Sequence, residues 1–190
     1  MRNTFKLLPV AAAALLALAG PGAAARATSP ADSSTGVFAH QATELGLTPA
    51  AQHRLQSQVD QEVRRTHGKQ TALNEVHWSG GTTVFVLPGE TRARHLSDGV
   101  HALQGTVYRC PPKYFCNYRY HNWEGTMHEL YHCTYYRTPY PFTSWVNNQT
   151  KGTNARFYDS QGKFSYASPG APVKTPWDSD AWRVWSIKPC

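Results

Sequence analysis

The fold of this 190-residue chain is decided by residues 110–148, CPPKYFCNYRYHNWEGTMHELYHCTYYRTPYPFTSWVNN. Short runs of aromatic and β-branched residues alternate here with turns rich in Pro, Gly and Asn, and the pattern continues to Cys190. All ten Tyr, five of six Trp and all four Cys follow Gly105. Short strands separated by such turns are typical of an all-β sandwich. The sequence therefore predicts a mainly β domain over residues 105–190.

Three motifs in this stretch resemble those of one family. The first is the short pair Cys110 and Cys116. The second is the spacing of Tyr118, Trp123 and Gly125, which resembles the βγ-crystallin Greek-key hairpin, where the aromatics form a corner and Gly takes a positive φ. The third is a Ser-Trp-x-Asn-Asn segment that contains Ser144, Trp145, Asn147 and Asn148. Together they are similar to peptidase inhibitor family thirty-six, the family of the Streptomyces metalloproteinase inhibitor.

The resemblance implies a βγ-crystallin-like Greek-key sandwich over residues 105–190. It also implies a secreted protein inhibitor of extracellular metallopeptidases, which presents a rigid loop to the protease cleft. The founding inhibitor has its reactive bond beside a second Cys pair in the later half, whereas this chain has only Cys190 after Cys133. No inhibitory reactive-site residue can therefore be carried over. The alternative function is a cell-envelope or glycan binding module on the same scaffold.

The first 27 residues predict a signal peptide. Arg2 and Lys6 form a basic start, residues 7–19 form an apolar run, and residues 25–27, Ala-Arg-Ala, offer a cleavage site. Cleavage after Ala25 is the alternative. The apolar run is too short for a membrane-spanning helix, which needs about 20 residues. We therefore expect a secreted, extracellular protein with no membrane span.

The four Cys predict disulfide bonds, because secreted proteins mature in an oxidising compartment. Four Cys allow three connectivities. Cys110 and Cys116 enclose only five residues, which suits a local clamp and leaves Cys133 to pair with Cys190. A zinc site is the rival interpretation, but these spacings contain no Cys-x-x-Cys motif. Two disulfides are the preferred prediction.

Residues 28–104 are predicted to form a leader to the β domain, and a removable pro-region is one interpretation of it. Residues 28–41 indicate a disordered tail, and a helix should begin at the N-cap Thr48 and end near Gly68. Two β-prone runs, 71–78 and 82–87, are joined by Ser-Gly-Gly at residues 79–81, which predicts a hairpin. Polar residues 90–105 indicate a linker, so the boundary is predicted near residue 105.

The stretch HELYH at residues 128–132 resembles a zincin motif, in which His128 and His132 would bind zinc and Glu129 would act as the base. This zinc metallopeptidase is a remote alternative, because the motif requires a helix. Gly125 and the strand-forming residues after Cys133 predict a strand instead. Residues four apart in a strand lie about 13 Å from each other, and Glu129 would point away from both His. We expect neither a catalytic residue nor a cofactor.

Calcium is the other metal to consider, because many crystallin-like domains bind it. The resemblance aligns Pro139 and Tyr140 with the family's two Asn or Asp positions, and neither side chain offers the oxygen ligands that calcium prefers. In the second half Asp178 is retained, but its neighbours depart from the pattern. We predict no metal site. Asn147 and Asn148 are interpreted as a turn.

The formal net charge of +7 is spread along the chain without a basic cluster. A nucleic-acid partner would require a basic stripe, so none is expected. The expected partners are an extracellular peptidase or, as the alternative, an anionic cell-envelope polymer. Seven aromatic side chains exceed what one small core should bury and are expected to include interface residues: Tyr118, Tyr120, Trp123, Tyr131, Tyr135, Tyr136 and Tyr140.

Overall fold

The structure is a computed structural model that describes residues 38–96 and 110–190. These residues form a mainly β fold with two antiparallel sheets of seven and four strands. The signal peptide predicted over residues 1–27, most of the predicted tail and the boundary near residue 105 lie outside the described residues. None of the described helices is long and apolar enough to cross a membrane.

The described residues contain two α-helices, eleven strands and two short 3-10 helices, and their bounds follow in chain order. The helices are α1 Ala39–Glu44 and α2 Pro49–Thr66, and the 3-10 helices are His121–Trp123 and Ala181–Arg183. The strands are β1 Lys69–Ala72, β2 Glu75–Trp78, β3 Gly81–Val84, β4 Phe115–Tyr118, β5 Met127–Leu130, β6 Tyr136–Arg137, β7 Ser144–Asn147, β8 Arg156–Tyr158, β9 Phe164–Ala167, β10 Val173–Thr175 and β11 Ser186–Lys188.

Helix α2 has the start that the sequence predicts. The hydroxyl oxygen of Thr48 accepts a hydrogen bond from the backbone N–H of Ala51 at 3.2 Å, and Pro49 is the first helical residue. The helix ends at His67, whose left-handed conformation (φ 53°) closes the last turn. Leu55 and Val59 of α2 are fully buried against the leader strands, so the helix is anchored to the sheet.

Two leader elements differ from the sequence predictions. The tail predicted over residues 28–41 ends in α1, because Ala42 is buried and the Gln41 side chain accepts a hydrogen bond from the N–H of Leu73 at 2.7 Å. The run predicted over residues 71–78 is divided between β1 and β2. A turn separates them at Asn74, whose side-chain amide donates to the carbonyl of Phe85 at 2.7 Å. The hairpin predicted at residues 79–81 joins β2 to β3 and is confirmed.

The leader strands belong to the same sheet as the later β domain. The seven-stranded sheet has the order β1-β2-β3-β5-β4-β7-β10, so β3 pairs directly with β5. Four residue pairs join these two strands, from Gly81 opposite Leu130 to Val84 opposite Met127. A Cβ atom on Gly81 would lie 1.7 Å from the carbonyl oxygen of Glu129, so this approach requires glycine.

Strands β4 to β11 form two units of four strands with the same pairing pattern. In the first unit β4 pairs with β5 and β7, and in the second β8 pairs with β9 and β11. The third strand of each unit pairs in the other sheet: β6 lies beside β11, and β10 lies beside β7. The four-stranded sheet therefore has the order β6-β11-β8-β9.

The two sheets face each other across a core of aromatic and aliphatic side chains. Phe115 and Trp145 project from the seven-stranded sheet, and Phe157 and Ile187 project from the four-stranded sheet. The ring centroid of Phe157 lies 5.8 Å from that of Phe115 and 5.9 Å from that of Trp145. Burial of aromatic rings supplies much of the hydrophobic stabilisation of a small β domain.

Candidate functional site

The motif over Tyr118, Trp123 and Gly125 forms a folded hairpin between β4 and β5. Gly125 has a φ of +80°, as predicted. Tyr118 and Trp123 pack in one cluster with Met127 and Val84 of the neighbouring strands. The Ser144 hydroxyl donates to the Tyr120 carbonyl at 2.5 Å and accepts from the N–H of Trp123 at 3.1 Å, which ties the hairpin to β7. These motif residues therefore build the scaffold.

The remaining residues of the third motif also have structural roles. The indole N–H of Trp145 donates to Asp178 at 2.8 Å, and the Tyr166 hydroxyl donates to the same carboxylate oxygen at 2.7 Å. Burial and Asp178 raise the pKa of Tyr166 above its usual range. The turn prediction was wrong for Asn147, which is the last residue of β7 and is fully buried. Its amide donates to the Thr153 carbonyl at 2.8 Å and therefore holds the following loop.

Asn148 fastens β7 to the first Cys pair. Its side-chain amide donates to the Cys110 carbonyl at 2.8 Å, and its carbonyl accepts from the N–H of Lys113 at 2.7 Å. Cys110 is bonded to Cys116 with their Cα atoms 5.7 Å apart, as the sequence predicts. The predicted bond between Cys133 and Cys190 is also present, with Cα atoms 5.4 Å apart.

The HELYH stretch forms strand β5 and the exposed loop after it, not a helix. His128 and Leu130 face one side of the sheet, whereas Met127 and Glu129 face the other, as alternation predicts. His132 lies beyond the strand and is exposed. The three side chains that a zincin site would need are therefore separated.

His128 is buried and makes a hydrogen bond through each of its two ring nitrogens. Its Nδ1 lies 3.2 Å from the Asn117 side-chain oxygen, and its Nε2 lies 3.2 Å from the Tyr140 hydroxyl. These partners assign the proton to Nδ1 and leave Nε2 to accept from Tyr140. Burial lowers the pKa of His128 to about 4, while the charge of Glu62 opposes this effect and that of Arg65 adds to it.

A cleft of about 250 Å³ lies between α2 and the segment around Tyr140. Glu62 on its wall accepts hydrogen bonds from Arg65 at 2.6 Å and from the Thr83 hydroxyl at 2.6 Å. Burial alone would raise the pKa of Glu62, but these hydrogen bonds hold it below its ordinary value. The guanidinium of Arg119 lies 5.0 Å from the centre of the Tyr140 ring. The negative charge of Glu62 is therefore compensated by Arg65 within the cleft wall itself.

On the opposite face of β5, His95 bridges two buried carboxylates. Its Nδ1 lies 3.1 Å from Glu75, and its Nε2 lies 2.9 Å from Glu129. The carboxylate side chains are only 3% and 4% exposed, and that of His95 is 15% exposed. Burial lowers the pKa of His95, but the hydrogen bonds and charges of Glu129 and Glu75 outweigh it and raise the pKa to about 10. We call Glu75, His95 and Glu129 the carboxylate–histidine bridge.

The carboxylate–histidine bridge joins the leader to the later β domain. Glu75 lies on β2, His95 follows β3, and Glu129 lies on β5. The sequence does not reveal this bridge, because His95 stands in a polar segment that predicts a linker and Glu129 lies within HELYH, where the pattern suggests a different role. Across residues 38–96 and 110–190, no group of three or more His, Cys, Asp or Glu side chains has an arrangement that could hold a metal ion.

The segment between β5 and β6 is the most exposed part of the predicted interface. All of residues 131–135 are exposed, with Tyr131 at 47% and Tyr135 at 60%. Cys133 in the middle of the segment is bonded to Cys190. We call residues 131–135 the crossing loop, because it carries the chain from one sheet to the other. Two other aromatics that were expected in the interface are buried: Tyr118 is 1% exposed and Tyr136 is 8% exposed.

Tyr118 and Tyr136 are buried because they alternate into the cores. Tyr118 on β4 packs with Met127, and the Tyr136 ring on β6 lies 5.5 Å from that of Trp78. Exposed aromatics instead include Phe164, Trp177, Trp182 and Trp185, which were not singled out from the sequence. Phe164 lies on β9, whereas the three Trp lie outside the strands, so strand alternation could not predict their exposure. The chain matches no protein-family model, no curated protein and no solved structure.

Proposed function

We propose that this chain is a secreted protein inhibitor of extracellular peptidases, with metallopeptidases as the class that the resemblance indicates. The scaffold proposed for it is a βγ-crystallin-like pair of Greek-key units. The strand orders β5-β4-β7-β10 and β6-β11-β8-β9 support this, because a Greek key brings its fourth strand beside its first. The exchanged third strands, β6 and β10, would then lock the two units together.

The observation that carries the proposal is the crossing loop, an exposed segment on a rigid support. A protein inhibitor must offer a protease cleft a protruding segment that is already ordered, because ordering a loop on binding costs affinity. Both ends of the crossing loop continue directly from strands, β5 at one end and β6 at the other. The Cys133–Cys190 bond fixes its middle to the chain terminus.

Contacts at the two ends hold the crossing loop still. The N–H of Tyr131 donates to the Gly80 carbonyl at 3.2 Å, and the Tyr131 ring centroid lies 5.0 Å from that of Tyr114. At the other end the Tyr135 ring lies 5.0 Å from that of Tyr158. His132 and Thr134 between these contacts are exposed, so a cleft would enclose them together with the exposed part of Tyr131.

Secretion is part of the proposal and rests on two features. The first 27 residues have the pattern of a signal peptide. Two disulfide bonds connect the described Cys residues, and such bonds persist in oxidising compartments. The secreted form should begin at Thr28, as determined by mass spectrometry of the culture supernatant.

The test is stoichiometric titration of a thermolysin-like enzyme and a panel of other secreted peptidases with the secreted protein. One peptidase at least should lose its activity at a one-to-one ratio. Tyr131→Ala should weaken this inhibition by roughly 30-fold, which corresponds to an interface hot spot of about 2 kcal/mol. Tyr120→Ala is the matched control, because Tyr120 is 54% exposed, against 47% for Tyr131, but lies outside the crossing loop. It should change inhibition by less than about twofold.

The disulfide supplies a second variant. Replacing both Cys133 and Cys190 with Ser leaves no free thiol and releases the middle of the crossing loop, so inhibition should weaken by about tenfold because the loop must be ordered on binding. Far-UV circular dichroism should remain unchanged, since the strands stay paired. The proposal fails if no peptidase in the panel is inhibited, or if Tyr131→Ala and Tyr120→Ala have equal effects.

A further inference from the structure

The four-stranded sheet turns one face to the core and the other to solvent. The solvent-facing side is defined by residues that pair across the strands: Arg137 lies opposite Ser186, Ser186 opposite Tyr158, and Tyr158 opposite Phe164. Directly paired residues in an antiparallel sheet project to the same side. A register shift between Phe157 and Tyr158 brings Phe164 to the side of Tyr158, whose ring lies 5.9 Å from it, so these side chains form a single row across all four strands.

A second row lies one step along the strands. Lys188 pairs with Arg156, two residues on from Ser186 and Tyr158, so both cations project to the same side as the first row. Tyr135 lies in this row as well. Its ring centre is 5.6 Å from the Lys188 ammonium nitrogen, and its hydroxyl is 3.5 Å from that of Tyr158. We call the set Tyr135, Arg137, Arg156, Tyr158, Phe164 and Lys188 the outer face, in which Tyr158 is only 8% exposed because the rings of Tyr135 and Phe164 lie against it.

The cations of the outer face form no ion pairs within the described residues. Among the residues that the structure describes, none of the ion pairs involves Arg137, Arg156 or Lys188. Elsewhere on the described surface, three arginines do form such pairs with Glu: Arg65, Arg92 and Arg94. The outer face therefore has three cationic side chains that are not engaged in ion pairs within the described residues and are open to a carboxylate from another molecule.

Exposed rings lie between these cations. Tyr135 is 60% exposed and Phe164 is 53% exposed, and the Arg137 guanidinium lies 5.4 Å from the centre of the exposed Trp185 ring. A surface of rings and cations suits a partner that has apolar ring faces and regularly spaced negative charges. The row across four strands is about 14 Å long, since neighbouring strands lie about 4.8 Å apart. A polymer could therefore bind through several units.

We propose that the outer face binds an acidic polysaccharide. Sugar rings would lie against Tyr135 and Phe164, and carboxylates on the sugars would accept hydrogen bonds from Arg137 and Arg156. A single-stranded nucleic acid is the other polyanion to consider, but its bases stack on rings that face them in parallel. The rings of the outer face are not parallel to one another, at 61° for Tyr135 with Tyr158 and 74° for Tyr158 with Phe164, so they offer no continuous stack for successive bases.

The test uses the secreted protein and polygalacturonate, a polymer of uronic acid. Binding is measured by isothermal titration calorimetry and compared with fully methyl-esterified polygalacturonate, which has the same sugar backbone without the charge. Oligo(dT) is the third probe. Polygalacturonate should bind, the esterified polymer should bind at least about tenfold more weakly, and binding should weaken further as salt screens the charges.

Matched variants locate the site. Arg137→Gln with Arg156→Gln should weaken polygalacturonate binding by about tenfold, because two charge-assisted contacts are lost. Arg54→Gln with Arg64→Gln on exposed positions of α2 removes the same net charge and should change binding by less than about twofold. Phe164→Ala should weaken binding by about fivefold through loss of ring contact.

The result that overturns the proposal is equal weakening by the two double variants, which would mean that only net charge attracts the polymer. Absence of polygalacturonate binding, or tighter binding of oligo(dT) than of polygalacturonate, would overturn it too. All variants keep the crossing loop intact, so they should inhibit the target peptidase like the unmodified protein. The polysaccharide proposal and the inhibitor proposal can therefore fail independently.

Discussion

Replacing His95 with Gln would leave Glu75 and Glu129 facing each other across the former position of the imidazole. In the folded protein the imidazole contacts one carboxylate at 3.1 Å and the other at 2.9 Å. Gln can donate hydrogen bonds but carries no positive charge. The variant therefore tests whether the carboxylate–histidine bridge is held by charge.

The size of the effect follows from the pKa of His95, which rises from 6.5 to about 10. Each pKa unit is equivalent to about 1.4 kcal/mol, so the rise sets an upper limit on the order of 5 kcal/mol. Partial exposure of His95 reduces this limit, and removing one partner from a buried ion pair costs about 3 kcal/mol or more. We expect His95→Gln to lower the free energy of unfolding by about 3 kcal/mol at pH 7.

The pH dependence has a defined direction. Because the folded pKa of His95 is raised, its stabilising contribution is complete below pH 6.5, the pKa of the unfolded group, and is lost as the pH rises towards 10. The difference between the unmodified protein and His95→Gln should therefore shrink to less than about 1 kcal/mol by pH 10.

Urea unfolding at pH 7 and pH 10, with the disulfides intact, measures both quantities. At pH 7 the midpoint should fall by roughly 1.5 M, for a slope of about 2 kcal/mol per molar. His53→Gln on the exposed side of α2 is the matched control and should have no effect at either pH. A loss of under about 1 kcal/mol at pH 7, or an equal loss at both pH values, would refute the argument from charge.

Three further outcomes are expected. Gly81→Ala should lower the free energy of unfolding in urea by at least about 3 kcal/mol, because its Cβ would meet the Glu129 carbonyl at 1.7 Å. Ser79→Ala in the same turn should lower it little. A small loss for both variants would contradict the close approach of β3 and β5. The imidazole NMR signals of His128 should titrate with a midpoint of about 4. Because this pKa is lowered, the stability of the protein should fall as the pH drops from 6.5 towards 4. A midpoint near 6.5 would show that the ring is hydrated. A fragment of residues 105–190 should give a poorly dispersed NMR spectrum, since it exposes the edge of β5 and leaves Glu129 without His95. A spectrum as dispersed as that of the longer protein would contradict the dependence of β5 on the leader.

Local patterns in the sequence predicted the local structure well. The cap at Thr48, the turn at residues 79–81 and the positive φ of Gly125 each depend on neighbouring residues in the chain, and each is present. The strand at residues 128–130 was predicted for the same reason, since the flanking residues favour extended backbone. The Cys pairing followed from the small separation of Cys110 and Cys116.

Contacts between distant segments could not be predicted in this way. The carboxylate–histidine bridge joins residues 75, 95 and 129, and it exists only because β3 pairs with β5. Nothing in the local sequence near His95 specifies that pairing, since polar residues there are equally typical of a linker. The outer face has the same origin: its rows are defined by the register of β6, β11, β8 and β9, which join four separate parts of the chain.

Strand β5 connects these observations, because both of its faces depend on the leader. On one face Glu129 is hydrogen-bonded to His95 of the leader, and on the other the charges of Glu62 and Arg65 of α2 act on His128. Along one edge β5 pairs with β3, which belongs to the leader. His128 and Glu129 are therefore adjacent in sequence but belong to two separate buried networks. Without the leader Glu129 would lose its partner His95, whereas His128 would keep Asn117 and Tyr140 and lose the nearby charges of Glu62 and Arg65. The crossing loop begins where β5 ends, so the leader also supports the segment that we propose to enter a peptidase cleft.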